Sequence, residues 1–214
     1  MNFPFTTEQF LDVFRAYNLA VWPAQIFLVV LVLIAIFLAV YRTKHSGVII
    51  SSILLFYWLW MGFVYHFAFF SNINPLAYVF AGLFVFQGFL FFFFGVAREG
   101  LHFKFVNNVK GVIAIILFIY ALIFYPLFGY SLGQYYPSTP TFGVPCPTTI
   151  FTFGILVLLE GKVNKILFII PLLWSLIGFT AVFNFSILQD IGLLVSAILT
   201  IVFLIKDKSL TQKL

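Results

Sequence analysis

VWPAQIFLVVLVLIAIFLAVYRTK, residues 21–44, decides the fold of this chain. Residues 21–41 carry no charge, and two basic residues, Arg42 and Lys44, follow at once. A run of about 18 or more apolar residues can cross roughly 30 Å of hydrocarbon as a helix. A helix is the natural spanning form because it satisfies its own backbone hydrogen bonds, which lipid cannot do. The stretch therefore predicts a membrane helix that stops at a basic loop.

Working outward, six further apolar runs lie near 47–66, 75–96, 111–130, 142–159, 166–185 and 187–205. The run 142–159 is the shortest, and it reads as a span only with Val144, Pro145 and Pro147 at its outer end. Composition agrees: of 214 residues, 64% are hydrophobic and 8% charged, with a mean hydropathy of +1.16. Soluble domains average about 25% charged residues, and a globule this poor in charge could not cover its own surface. The expected fold class is all-α, a polytopic membrane protein with about seven transmembrane helices.

The basic residues set the expected orientation. Arg42 and Lys44 follow the first run, Arg98, Lys104 and Lys110 lie between the third and fourth, and Lys162 and Lys165 follow the fifth. Lys206, Lys208 and Lys213 end the chain, so ten of its eleven basic residues fall on one side. The opposite loops, 67–74, 131–141 and 184–186, hold none, and Arg15 alone lies on their side. Cytoplasmic loops are enriched in Lys and Arg, which predicts a cell-membrane protein with its N-terminus outside and its C-terminus in the cytosol. The net charge of +5 does not suggest nucleic acid, since the basic residues sit in short loops and form no patch or stripe. The single cysteine, Cys146, excludes an internal disulfide and a Cys-based zinc site. Glu8, Asp12 and Arg15 near the start leave no cleavable signal peptide in evidence.

Residues 1–20 read as a short amphipathic helix. Thr6 with Gln9 three residues later fits a capping box. Phe10, Val13, Phe14 and Tyr17 share one face, and Glu8, Asp12 and Arg15 another. This predicts a helix lying on the outer leaflet; the alternative is the start of one long first helix, against which Asn18 and Pro23 argue for a bend. The loop 131–147 is uncharged and carries Pro137, Pro140, Pro145 and Pro147, which stiffen it; it fits a lid or a plain linker.

Two segments echo each other. Trp58, Gly62-Phe63, Phe67, Phe69 and Asn74 match Trp174, Gly178-Phe179, Phe183, Phe185 and Asp190 at a constant offset of 116. Pro23-Ala24-Gln25-Ile26-Phe27 also resembles Pro147-Thr148-Thr149-Ile150-Phe151, at an offset of 124. The expected organisation is an outer helix (1–20), a first three-helix unit (21–96), a linking helix (111–130), a second three-helix unit (142–205) and a cytosolic tail (206–214). Parallel repeats of this kind create a path or pocket between the halves; chance matching among many Phe and Gly is the alternative.

Seven residues are candidates for lining a substrate path: Trp58, His66, Asn74, Gln87, Trp174, Asn184 and Asp190. Asp190 stands at the outer start of the seventh run, where a carboxylate gains from the helix dipole or contacts an ion or substrate, as ionisable groups within spans commonly do. His66, Asn74, Asn184 and Asp190 lie on the same side and, with Glu8, Asp12 and Arg15, could form an outer vestibule. Gln87 is the central polar residue of the third run, either bonding a neighbouring helix or lining a path. Trp58 and Trp174 are apolar fillers or, if the repeat holds, partners facing each other across a pocket. Enzyme signatures such as GxSxG, a Walker lysine loop, HExxH and CxxC are missing. No catalytic residue, cofactor or metal is expected.

The segments Phe5-Thr6-Thr7-Glu8-Gln9-Phe10, Tyr17-Asn18-Leu19-Ala20-Val21-Trp22-Pro23-Ala24-Gln25, Pro171-Leu172-Leu173-Trp174-Ser175-Leu176-Ile177-Gly178 and Gln189-Asp190-Ile191-Gly192-Leu193 resemble an uncharacterised family of bacterial multi-pass membrane proteins, a domain of unknown function. The resemblance covers nearly the whole chain. It implies a bacterial inner-membrane location and no established activity. A weaker similarity, in helix count, orientation and the Pro23-Ala24-Gln25 echo, is to three-plus-one-plus-three sugar and vitamin transporters, and fold alone does not imply function. The expected function is a small-solute transporter or facilitator with a path between the halves. The alternatives are a structural or accessory subunit of a membrane complex, in an oligomer or with a partner membrane subunit, and a membrane enzyme or sensor.

Overall fold

The computed structural model describes residues 4–161 and 164–206. The expected tail from residue 207 onward and Lys162 lie outside these residues. Every described element of length is helical, and the chain is a polytopic helical membrane protein. Five helical segments are long and apolar enough to cross a membrane: Ser46–Asn72, Ala77–Ala97, Val109–Ser131, Ile166–Phe185 and Leu188–Lys206. A sixth is reached if the bent pair Thr7–Val21 and Ala24–Val40 counts as one. The fifth predicted run, 142–159, folds as a shorter helix, Pro145–Val157.

Helix α1 (Thr7–Val21) opens with the predicted capping box. The Thr6 hydroxyl accepts from the Gln9 amide at 3.2 Å, and the Gln9 side chain accepts from the Thr6 amide at 2.8 Å. The chain then turns by 86° into α2 (Ala24–Val40). The break falls at Trp22-Pro23, where proline removes a backbone donor, so a single long first helix does not form. Three helices contain wider, π-type turns. Helix α3 (Ser46–Trp60) runs on through Met61–Phe69 and the tighter turn Phe70–Asn72, and α4 (Ala77–Phe91) through Phe92–Ala97. Helix α5 (Val109–Ile119) passes through Tyr120–Phe124 into α6 (Tyr125–Ser131). There Pro126 lacks an N–H and its ring crowds the carbonyl four residues back, so the ladder widens instead of continuing.

Helix α7 (Pro145–Val157) is the centre of the bundle: all of its residues but Cys146 are buried. Thirteen residues rise only about 20 Å, less than the roughly 30 Å of a bilayer core. An extended segment explains where it stops. Phe103 pairs with Leu159, the Lys104 amide donates to the Leu158 carbonyl at 2.9 Å, and the Glu160 amide to the His102 carbonyl at 2.9 Å. Leu101 and Phe103 of this segment are buried. Helices α8 (Ile166–Phe185) and α9 (Ile191–Lys206) complete the bundle around it. Outward faces are apolar, with Ile26, Phe27, Leu33 and Phe37 of α2 and Phe86 and Phe89 of α4 exposed, as lipid contact requires.

The basic loops gather at one end of the bundle. Arg42 donates to Glu160 at 2.9 Å, Lys104 lies 3.8 Å from the same carboxylate, and Lys110 sits over the Phe203 ring. Helix α1 covers the opposite end. The apolar face of α1 differs from expectation in what it meets. Phe10, Phe14 and Tyr17 are buried against Phe70, Phe185 and Tyr65 of the protein itself. The end of the bundle is wide and aromatic, and it takes the face that was expected to rest on lipid.

Candidate functional site

Beneath α1 lies a cavity of about 390 Å³, inside the roughly 300–1,000 Å³ range of small-molecule sites. Its roof is Phe5, Phe10 and Phe14 with Pro140 from the loop before α7. One wall comes from the α3–α4 region, with Tyr65, Phe70, Asn74 and Phe80. The other comes from α7, α8 and the start of α9, with Cys146, Trp174, Gly178 and Asp190. Gly178 keeps the floor open. A Cβ there would lie 3.3 Å from Trp174 Nε1, 3.4 Å from Cys146 Sγ and 2.8 Å from a Leu193 methyl.

A polar cluster is set into this apolar space. Asp190 is buried in the turn Leu188–Asp190 that starts α9. Its Oδ1 accepts from the Tyr125 hydroxyl at 2.6 Å, and the Cys146 thiol lies within hydrogen-bonding reach of the same carboxylate. The wide turn before Pro126 delivers Tyr125 to this position. The indole N–H of Trp174 is buried with no hydrogen-bond partner among the described residues. Asn74 uses its Oδ1 to accept from the Leu76 amide at 3.0 Å, capping the approach to α4.

The roof is held by Asn18. Its amide donates to the carbonyls of Pro137 at 2.6 Å and Thr139 at 2.8 Å. Its Oδ1 accepts from Gln25 at 2.7 Å and from the Thr141 hydroxyl at 2.7 Å. The proline-rich loop is thus clamped across α1 and forms part of the cover.

Of the seven candidates, Asn74, Trp174 and Asp190 line the cavity. His66 lies one layer behind, with its ring edge-to-face on Trp174 at 5.1 Å and on Phe84 at 4.6 Å. Both of its nitrogens are buried without a hydrogen-bond partner among the described residues. Trp58 and Trp174 do not face each other across a pocket. Phe84 stands between them, 4.7 Å from one ring and 5.0 Å from the other, and Trp58 donates to Thr152 at 3.2 Å. Asn184 is exposed and bonds the Thr180 carbonyl of its own helix at 2.6 Å. Glu8, Asp12 and Arg15 sit exposed on the far side of α1 and form no vestibule with Asp190. Among the described residues no three His, Cys, Asp or Glu side chains come together to hold a metal ion.

Sequence reasoning passed over Tyr125, Cys146 and the clamping role of Asn18. Uncharged Tyr and Cys give no periodic signal in apolar runs. Asn18 did give one: it stands four residues after Phe14 and eight after Phe10, on the apolar stripe of α1, where a polar side chain needs a partner.

Residues 7–214 match DUF6064, described as a family of unknown function. The chain belongs to that family. No curated protein and no solved structure matches it, seven-helix transporters included.

In this DUF6064 protein Gln87 joins helices. Its amide donates to the Leu167 carbonyl at 3.0 Å, tying α4 to the start of α8, and it does not line the cavity. Gln87→Leu is expected to lower stability by about 1 kcal/mol and to leave the cavity unchanged. Thermal unfolding in mild detergent measures it, and a loss several times larger would contradict a simple interhelical bond.

Proposed function

We propose that this protein is a small-solute transporter or facilitator whose path runs between two three-helix units, 21–96 and 142–205. The observation that carries this reading is the cavity, because both units wall it and each supplies a polar residue, Asn74 and Asp190, from the turn before a helix. These two positions are also the last matched pair of the sequence repeat. Lys and Arg loops favour the cytoplasmic side, so the α1 end faces outward and the C-terminus lies in the cytosol. The layer of His66, Phe84 and Trp174 then seals the path below the cavity. Transport would follow from rocking one unit against the other around the site, as in other repeat-built carriers.

Cys146 is the chain's single cysteine and lines the cavity, so it reports access without engineering. Membrane-impermeant thiol reagents applied to sealed vesicles of either orientation are expected to modify it from both sides, at rates that a transported solute changes. Modification from one side only, or from neither, overturns the transport reading.

A further inference from the structure

The cavity has a side opening. Leu76, before α4, and Leu176, on α8, both line it and are themselves 59% and 61% exposed. Thr180, one turn beyond Leu176, lines it and is exposed as well. Lower down, the same two helices are shut by the Gln87–Leu167 hydrogen bond and by Phe84 packed edge-to-face on Trp174 at 5.0 Å. Above, the Asn18 clamp holds the roof. The open route therefore leads sideways between α4 and α8, onto an apolar outer surface that meets lipid.

The polar groups inside specify what could end there. The buried indole N–H of Trp174 makes no hydrogen bond among the described residues, and the nearby Cys146 sulfur is only a weak acceptor. When ionised, the Asp190 carboxyl accepts only, and its two oxygens offer about four lone-pair positions, of which Tyr125 takes one and the Cys146 thiol lies within reach of another. A hydroxyl group donates and accepts at once, so it can serve both. An ammonium group has no acceptor for the indole, a carboxylate would stand against Asp190, and an alkane would leave the indole unpaired.

We infer that the cavity binds the hydroxyl end of a long-chain alcohol that reaches it from the bilayer between α4 and α8. The inference names a substrate class for the transport reading above and rests on that reading's cavity. A lipid-borne ligand also accounts for the predominance of aromatic and aliphatic walls, since its chain would lie along Phe80, Leu76 and Leu176.

The test uses the full chain in nanodiscs and a long-chain alcohol carrying a photoreactive diazirine. Labelling is expected to be saturable, to fall on residues 74–80 and 174–180, and to be displaced by the unlabelled alcohol far better than by the alkane or primary amine of equal length. Trp174→Phe keeps an aromatic ring at the position and removes the donor, and it is expected to weaken binding about fivefold, the value of one hydrogen bond. Thr180→Trp, at an exposed position, narrows the opening without touching the polar pair and is expected to slow labelling. Equal displacement by the alkane, or unchanged binding in Trp174→Phe, overturns the inference. Alcohol-selective binding with Cys146 reachable from one side only would sink transport and leave this site standing. Two-sided access to Cys146 without alcohol selectivity would do the reverse.

Discussion

Asn18→Leu is expected to lower stability by about 3 kcal/mol and to free the loop that roofs the cavity. The side chain is fully buried and makes four hydrogen bonds, two donated and two accepted. Leucine fits the volume but answers none of the four partners. The Pro137 and Thr139 carbonyls would lose these donors in a covered site, and each buried group left unpaired costs about 1–3 kcal/mol. Part of that is regained by the added apolar contact and by water reaching the loosened loop. Thermal unfolding in mild detergent would register the loss, and limited proteolysis would register new cleavage between residues 131 and 144. Thr141→Val removes one of the four bonds and is expected to cost about 1 kcal/mol. Wild-type melting and an uncut loop in Asn18→Leu would show that the cover is held by something else.

The clamp also marks the limit of what was legible beforehand. Apolar runs and basic loops are one-dimensional features, and they located every helix but α1 and gathered the described basic residues at one end, Arg15 excepted. The capping box at Thr6 and Gln9 and the bend before Pro23 were equally readable, because both depend on residues within a few positions of each other. Asn74 and Asp190 stood out as rare polar groups before helix starts, and Trp174 through its echo of Trp58. What could not be read was pairing across the bundle. Tyr125 meets Asp190 over a separation of 65 residues, and Asn18 meets Thr139 over 121. Nor does composition tell which side of an amphipathic helix meets lipid and which meets the protein, since both are apolar. That is why α1 was expected on the membrane surface and is found packed on Phe70 and Phe185. The fifth run was readable as apolar but not as enclosed, because the segment that ends it, Leu101–Lys104, lies in a different loop.

Gly192→Ala is expected to destabilise the protein by about 2 kcal/mol, against the direction that helix propensity alone would give. Gly192 lies in the first turn of α9, where alanine is ordinarily about 1 kcal/mol better than glycine. A Cβ at this position, however, would lie 2.0 Å from Cε1 of Tyr120, 2.4 Å from Cζ and 2.7 Å from the hydroxyl oxygen. No rotation of the methyl group relieves such contacts, so the Tyr120 ring must swing away. Its hydroxyl then loses the Gln189 carbonyl, to which it donates at 2.7 Å. Overpacking of this kind typically costs about 1–3 kcal/mol. Small residues at membrane helix contacts let backbones and rings approach closely, and here the approach fixes the turn that carries Asp190. Tyr120→Ala in the same chain removes the ring that the methyl group strikes. The double variant is therefore expected to lose clearly less than the sum of the two single losses, since residues in contact do not behave additively. Unfolding midpoints of the four proteins decide the matter: an alanine at 192 that stabilises, or losses that simply add, would mean that Gly192 is not there to admit Tyr120.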